Sequence, residues 1–216
     1  ATIKHELQTL RGAIHLARDL GYHVNSDLTW PTKDLKTKRG RLRFLTKEEE
    51  LRLLAELDPN RIGRGLAPVE ERQTYQLIQM QDNYDFVIPL LDTGMRYDEM
   101  AKLPWSAVDI YTSSIRIFRN KVDLADNFHM TDRLMEVMEK RFRNRRPGAR
   151  YVFESPNGGP RGYTAQGIRK AIDRAGLNEP EVVKEKGGKV TIHTLRRTFA
   201  SRLVQAGVSL AKVPSY

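Results

Sequence analysis

The 216-residue chain contains no cysteine. Disulfide bonds, thiol catalysis and cysteine-ligated zinc are therefore excluded. The phosphate-binding loop of ATPases, the dinucleotide fingerprint G-x-G-x-x-G and the zinc motif H-E-x-x-H are missing too. No apolar run approaches the length of a membrane span, and residues 1–20 do not resemble a signal peptide. The five histidines lack metal-ligand spacing. We therefore expect no metal, no cofactor and no membrane partner, and a place in the cytoplasm.

Basic residues, in contrast, are abundant. The chain has 37 Lys and Arg against 27 Asp and Glu, which gives a formal net charge of +10. A protein with this balance usually binds a polyanion, most often nucleic acid. The alternative is that the charge serves solubility alone. The length fits one large domain, or one domain with a fragment of another.

The first 43 residues divide into a helix and a basic segment. Residues 1–23 carry apolar side chains at helical spacing and then a glycine, Gly21, which predicts a helix that ends there. Residues 24–43 have no apolar period and are rich in Lys and Arg, so we interpret them as a linker. The linker either is a solvated tether or follows DNA phosphates through Arg39, Arg41 and Arg43.

Residues 44–216 are predicted to form one α+β domain that is mainly α-helical. Thr46 followed by Glu49 is a capping-box pattern for an opening helix over 44–57. A second helix ends at Gly94, with Pro89 predicting a kink or a break inside it. Two β-rich runs around residues 112–114 form a hairpin, and "NKVDLADNFHM" extends it to a three-stranded antiparallel sheet. Further helices are predicted at about 131–145, 164–175 and 194–206.

Two short segments place arginine beside a turn or a helix start. In "DTGMRYDEM", Arg96 follows a helix that a glycine ends. In "HTLRRTF", His193 and Arg196 lie three residues apart, on one face of a helical turn. Each segment alone is a weak signal, because an arginine on a helix is usually solvated and a lone histidine usually caps or packs.

Together, the two segments resemble the two arginine boxes of the tyrosine recombinase (phage integrase) family. The segment around Arg96 resembles the first box of the family at Thr93, Gly94, Arg96, Glu99, Leu103 and Trp105. The second box is similar in its residues His193, Leu195, Arg196, Arg197, Thr198, Phe199, Ala200 and Ser201. The resemblance extends to the opening helix at 44–57, which is similar to the start of that family's catalytic domain. It also extends to residues 1–23, which are similar to the last helix of the preceding core-binding domain.

The resemblance implies a mechanism without cofactor or ATP. A tyrosine attacks a DNA phosphodiester and forms a 3′-phosphotyrosine. A 5′ hydroxyl of a second DNA end later attacks this intermediate and reverses the step. Arg96 and Arg196 would clamp the nonbridging oxygens, and His193 would hydrogen-bond the phosphate or assist proton transfer. In the family, a lysine on the turn between the second and third strands protonates the leaving oxygen, and Lys121 would take this role, or else it is an ordinary hairpin lysine.

Two further residues have supporting roles in this interpretation. We expect Glu99 to orient Arg96 rather than to contact DNA. We expect Arg197 to support the site or to contact the DNA backbone.

The sequence departs from the family after the second box. The Leu-Gly-His (or Trp) segment that follows there has no counterpart, and Tyr216 lies only 20 residues after Arg196. Three interpretations remain: the tail is absent from the chain as given, Tyr216 is the nucleophile with the intervening residues absent, or Tyr216 is irrelevant. The alternative function is therefore a DNA-binding recombinase fragment that does not cut DNA.

Other expectations follow from the family. A type IB topoisomerase uses similar chemistry, but the boxes and the layout are more similar to an integrase. The partner is double-stranded DNA, and the full-length protein is expected to act as a homotetramer on paired sites. The source would be bacterial or phage-encoded.

Overall fold

A computed structural model describes residues 2–25, 28, 43–63, 65–119, 124–162 and 165–208. The chain divides into two compact units, Ala1–Gly40 and Arg41–Tyr216. In the first unit, helix α1 covers Thr2–Asp19, and its last turn carries Arg18. No helix among the described residues is long and apolar enough to cross a membrane.

The second unit begins with α2, Lys47–Leu57. The predicted capping box is confirmed: the Glu49 amide donates to the Thr46 hydroxyl (3.2 Å), and the Thr46 amide donates to the Glu49 carboxylate (3.0 Å). These bonds satisfy amides that the helix leaves unpaired. Three glutamates in the first turn also stabilise the helix, because their negative charges lie near its partially positive N-terminal end.

Helix α3, Thr74–Thr93, is the centre of the second unit. It contacts α2 and four later helices: α4 (Tyr97–Ala101), α5 (Asp132–Arg143), α6 (Gln166–Arg174) and α8 (Ile192–Gln205). The sequence predicted a kink or a break at Pro89, and a break does not occur, since the helix continues through this residue to Thr93. Residues 85–91 are buried, so packing against the neighbouring helices offsets the missing backbone donor of proline.

A short helix α7, Pro180–Lys186, was not predicted. Its signals were present in the sequence: proline occupies its first turn, and Gly187 follows its end in the left-handed conformation. Single 3₁₀ turns at Val69–Glu71 and Trp105–Ala107 were also not predicted.

The predicted antiparallel sheet is confirmed. Its strands are β1 (Val108–Asp109), β2 (Ser114–Arg119) and β3 (Leu124–His129), in the order β1-β2-β3. Ile115 pairs with Val108 on one side and with Phe128 on the other, and its side chain is fully buried. The sheet therefore adds to the helical core, and the fold is the mainly helical α+β arrangement that the sequence predicts.

One hydrophobic core holds the second unit together. Its largest fully buried side chains include Phe86, Leu90 and Leu91 of α3. They pack with apolar residues of α2, α5, α6 and α8, for example Leu53, Leu134, Ile168 and Leu195. Burial of such side chains is worth roughly 1.5–3 kcal/mol each, which fixes the helix ends that carry the site.

Candidate active site

The turn between α3 and α4 presents Arg96. Gly94 ends α3 in the left-handed conformation, at φ 62°, as predicted for a C-cap. Arg96 is the N-cap of α4, where its amide donates to the Glu99 carboxylate (2.8 Å). Its guanidinium donates to the other Glu99 oxygen (2.8 Å), and 56% of the side chain stays exposed. Glu99 thus orients Arg96, as the sequence analysis expected.

The first turn of α8 presents His193 and Arg196. Thr191 caps the helix through reciprocal bonds with Thr194. His193 is exposed, whereas Arg196 lies one turn further and is only 2% exposed. The Arg196 guanidinium donates a short hydrogen bond to the carbonyl oxygen of Gly94. Two segments 102 residues apart are therefore joined by one buried arginine.

Both segments line one cleft of about 330 Å³. Its walls are formed by Leu90, Met95, Arg96, Tyr97, Asp98, Ile192, His193 and Arg196. The structure therefore brings together three of the residues that the sequence singled out: Arg96, His193 and Arg196. Two guanidiniums and an imidazole in one cleft make a site suited to a phosphate or another oxyanion.

Electrostatics in the cleft favour neutral His193. Although His193 as a whole is exposed, desolvation of its imidazole in the cleft lowers its pKa, and the positive charges of Arg197, Arg196 and Arg96 lower it further. The neutral imidazole can donate one hydrogen bond and accept another. An anion placed between these arginines would offset their charge and raise the pKa of His193.

Several sequence-predicted residues lie outside the described residues. These residues are Arg39, Arg41, Lys121 and Tyr216. Arg197 is described; it is half-buried on α8, next to Arg196.

Arg43 is not placed as the linker interpretation expected. It is 3% exposed, and its guanidinium forms a paired contact with the two Glu49 oxygens at 2.6 and 2.8 Å. Burial opposes ionisation of Glu49, but the bonds from Arg43 and Thr46 outweigh it and lower the Glu49 pKa. Arg43 therefore stabilises the start of α2, and we remove it from the set of DNA-contacting residues.

The basic cluster at 140–150 is also engaged within the protein. Arg141 pairs with Asp82 (2.9 Å) and Asp85 (3.1 Å), and Arg146 pairs with Glu154 (3.1 Å). Arg145 stacks over the Phe142 ring at 3.4 Å. Arg141 is therefore held within the protein, whereas the side chains of Arg143 and Arg146 remain largely exposed.

Two residues beside the cleft were not predicted from the sequence. Tyr97 lines the cleft, and its hydroxyl donates to the carbonyl oxygen of Gly162 (2.8 Å). Arg161 is buried and donates to the Tyr97 hydroxyl (3.3 Å). Burial lowers the pKa of Arg161 to about 10. No local pattern marks either residue, because their partners lie more than 60 residues away along the chain.

The described residues contain no group of three or more His, Asp or Glu that could hold a metal ion.

The chain belongs to the phage integrase family, whose sequence profile matches residues 43–216. The matched region contains both arginine segments and the whole cleft. No curated protein matches the chain significantly. This is the tyrosine recombinase (phage integrase) family that the two arginine segments indicated.

Solved structures of recombinases and integrases have the same fold. The Tn1549 transposon integrase in complex with circular intermediate DNA is 20% identical with a TM-score of 0.67; the match covers 98% of this chain and 69% of that one. XerH bound to a palindromic difH substrate, in a post-cleavage complex, is 17% identical with a TM-score of 0.68. That match covers 97% of this chain and 58% of the XerH chain. XerA recombinase is 20% identical with a TM-score of 0.59, and the match covers 91% of this chain and 60% of the XerA chain. At these identities the similarity establishes the fold alone, and the chain spans less than two thirds of XerA and XerH.

Proposed function

We propose that this chain carries the phosphate-binding site of a site-specific DNA recombinase that cuts and rejoins strands through a 3′-phosphotyrosine. The observation that carries the proposal is the shared cleft of Arg96, His193 and Arg196. Three motif residues from segments about 100 positions apart meet there. The DNA complexes of the Tn1549 integrase and XerH, which have a similar fold, support the choice of DNA as the substrate.

The clamp stabilises the charge that develops during strand cleavage. When an oxygen attacks the phosphodiester, phosphorus becomes five-coordinate and the nonbridging oxygens gain negative charge. The guanidiniums of Arg96 and Arg196 bind these oxygens and keep their protons at neutral pH. His193 donates a third hydrogen bond to the phosphate, which the neutral imidazole can do without adding charge.

Cleavage also needs a nucleophile and an acid. The tyrosine hydroxyl releases its proton to solvent as its oxygen forms the new bond to phosphorus, the bond to the 5′ oxygen breaks, and that oxygen takes a proton from a general acid. We assign the acid to Lys121, which lies in the sequence between β2 and β3 and outside the described residues. Tyr216 is one candidate nucleophile. In the reverse step, a 5′ hydroxyl attacks the phosphotyrosine and the tyrosine oxygen leaves, so no external energy is consumed.

DNA backbone contacts outside the cleft are assigned to Arg39, Arg41 and Arg197. These cations would position the duplex through its phosphates without reading sequence. The full-length protein would act on paired DNA sites as a homotetramer.

Covalent trapping tests this function. The full-length protein that contains this chain is incubated with a library of DNA duplexes of random sequence, each of which carries a nick in one strand. Denaturing electrophoresis then separates protein–DNA adducts. We expect an adduct that Arg96→Ala reduces by at least about a hundredfold, the scale for removing one transition-state charge donor. Arg52→Ala, an exposed change on α2, should leave the yield unchanged.

A measurement of DNA affinity, made alongside adduct yield, distinguishes the proposed enzyme from a DNA-binding fragment that does not cut DNA. Arg96→Ala should keep most of the salt-dependent DNA affinity while it loses the adduct. Binding without any adduct in the unchanged protein would favour the fragment. A separate Tyr216→Phe variant tests the nucleophile, since an adduct that persists in this variant assigns the attack to a different tyrosine.

A further inference from the structure

Tyr97 connects the cleft to the segment that leads into α6. It is the first residue of α4, directly after Arg96, and it lines the cleft. Its hydroxyl donates to the Gly162 carbonyl oxygen (2.8 Å) and accepts from Arg161 Nε (3.3 Å). One side chain therefore belongs to the cleft wall and also to a hydrogen-bonded contact about 65 residues away in sequence.

Arg161 gives that contact a rigid base. It is buried, it pairs with Asp82, and it donates to the side-chain oxygen of Asn83 (2.6 Å). Its guanidinium also lies over the Phe86 ring, 4.4 Å from the centroid. The aspartate, the asparagine and the phenylalanine all belong to α3, so Arg161 is fixed to the central helix of the fold.

The tyrosine ring is held by the same helix. The rings of Tyr97 and Phe86 lie 4.8 Å apart at an interplanar angle of 58°, a favourable tilted arrangement. The Tyr97 side chain is thus fixed through its ring by α3 and through its hydroxyl by Arg161 and Gly162.

Arg96 depends on such anchors for its place. It begins a helix of only five residues, and an isolated helix of that length is not stable. The backbone is anchored before Arg96 by the bond between Gly94 and Arg196, and after it by the side chain of Tyr97. The exposed guanidinium can adopt a fixed position over a phosphate only if the backbone beneath it is fixed.

We propose that Tyr97 is a positioning residue for the phosphate clamp, which holds Arg96 in place through its hydroxyl bonds to Arg161 and Gly162. This inference rests on the proposed function for its catalytic consequence, but the anchoring itself does not. Tyr97 acts through Arg96 and does not touch the reacting atoms.

The test is Tyr97→Phe, which removes the hydroxyl and keeps the ring on Phe86. The matched control is Tyr84→Phe, a change to a half-buried tyrosine of α3 outside the cleft lining. Hydrogen exchange is measured first on this chain. The backbone amides of Arg96 and Met100 are bonded to Glu99 and to the Arg96 carbonyl oxygen. Their exchange should accelerate about fivefold in Tyr97→Phe, which corresponds to the loss of one ordinary hydrogen bond.

Single-turnover adduct formation by the full-length protein is measured second. Tyr97→Phe should lower the rate about fivefold or more while the DNA dissociation constant stays unchanged, and Tyr84→Phe should alter neither. A purely structural role would instead accelerate exchange throughout the core and lower the rate and the affinity together.

The possible results separate the two proposals. Unchanged exchange at Arg96 and Met100, or acceleration spread over the whole core, overturns the positioning role whatever the activity. Local acceleration with an unchanged rate overturns its catalytic consequence. Local acceleration in a protein whose unchanged form yields no adduct supports the anchoring and contradicts the proposed function.

Discussion

Arg196 donates a hydrogen bond to the carbonyl oxygen of Gly94, and this bond joins α8 to the turn that carries Arg96. The carbonyl belongs to the C-terminal end of α3, where backbone acceptors lack helical partners and carry partial negative charge. A buried guanidinium satisfies that end and at the same time lines the cleft. Arg196 therefore has a structural role in addition to its proposed role in the clamp.

The two arginines should differ in their effect on stability. Arg196→Ala removes a 2%-exposed side chain and leaves the Gly94 carbonyl without this donor, so we expect a loss of about 2–4 kcal/mol in the free energy of unfolding. Arg96→Ala removes an exposed ion pair with Glu99 and should cost less than about 1 kcal/mol. Urea denaturation measures both, and equal losses would contradict the buried role of Arg196.

Gly94 should not tolerate a side chain. At φ 62°, an added Cβ would lie 2.5 Å from Cδ1 and 3.3 Å from Cβ of Phe199, so the contact is with the base of the ring as well as its edge. Gly148 has a similar φ of 76° with nothing within 4 Å. We expect Gly148→Ala to cost about 1 kcal/mol, the conformational penalty alone. Gly94→Ala should cost at least about 3 kcal/mol because the steric overlap is added. Thermal or urea unfolding of the two variants provides the comparison, and similar losses would refute the close packing of Gly94 and Phe199.

His193 should titrate below its ordinary pKa of about 6.5. The folded protein then binds fewer protons at His193 than the unfolded chain between the two pKa values, so this residue makes stability fall as the pH drops through that interval. Proton NMR of the imidazole in Arg197→Gln should give a higher His193 pKa, because Arg197 is the largest charge contribution. Arg52→Gln, on α2, is the charge-matched control and should leave the titration unchanged.

DNA should shift the same titration in the opposite direction. A phosphate in the cleft offsets the charge of the arginines, so a short duplex should raise the His193 pKa. By linkage, DNA affinity should increase as the pH is lowered through this range. A titration that is identical with and without DNA would place the phosphate elsewhere.

Substitution of Arg43 should affect DNA binding differently from substitution of Arg39 or Arg41. Arg43→Gln breaks the buried pair with Glu49 and should lower the free energy of unfolding while the salt dependence of DNA binding stays unchanged. Arg39→Gln and Arg41→Gln should each reduce the slope of log affinity against log salt by about one, if each neutralises one phosphate. A reduced slope in Arg43→Gln would contradict the buried, structural role of this residue.

Local sequence patterns predicted the elements whose determinants lie close together in the chain. The Thr46–Glu49 capping box, the Gly94 helix end and the β1–β2 hairpin each depend on residues a few positions apart. The identity of the site also came from the sequence, because the two arginine segments carry distinctive residues at fixed spacing. Helix α7 was missed although its proline and its terminal glycine were visible, since a seven-residue helix has little apolar period.

Only the tertiary structure decided the features that depend on distant partners. Arg43 lies in a basic run, yet Glu49 and the surrounding burial make it structural. Pro89 is a helix breaker by local chemistry, yet the packing of its buried neighbours keeps α3 continuous. The bonds of Gly94 to Arg196 and of Tyr97 to Gly162 join residues 102 and 65 positions apart. The sequence by itself therefore indicated the three residues that meet in the cleft, Arg96, His193 and Arg196. The fold decided which charges are buried and how Arg96 is held, because burial and hydrogen-bond geometry depend on long-range packing that no local pattern contains.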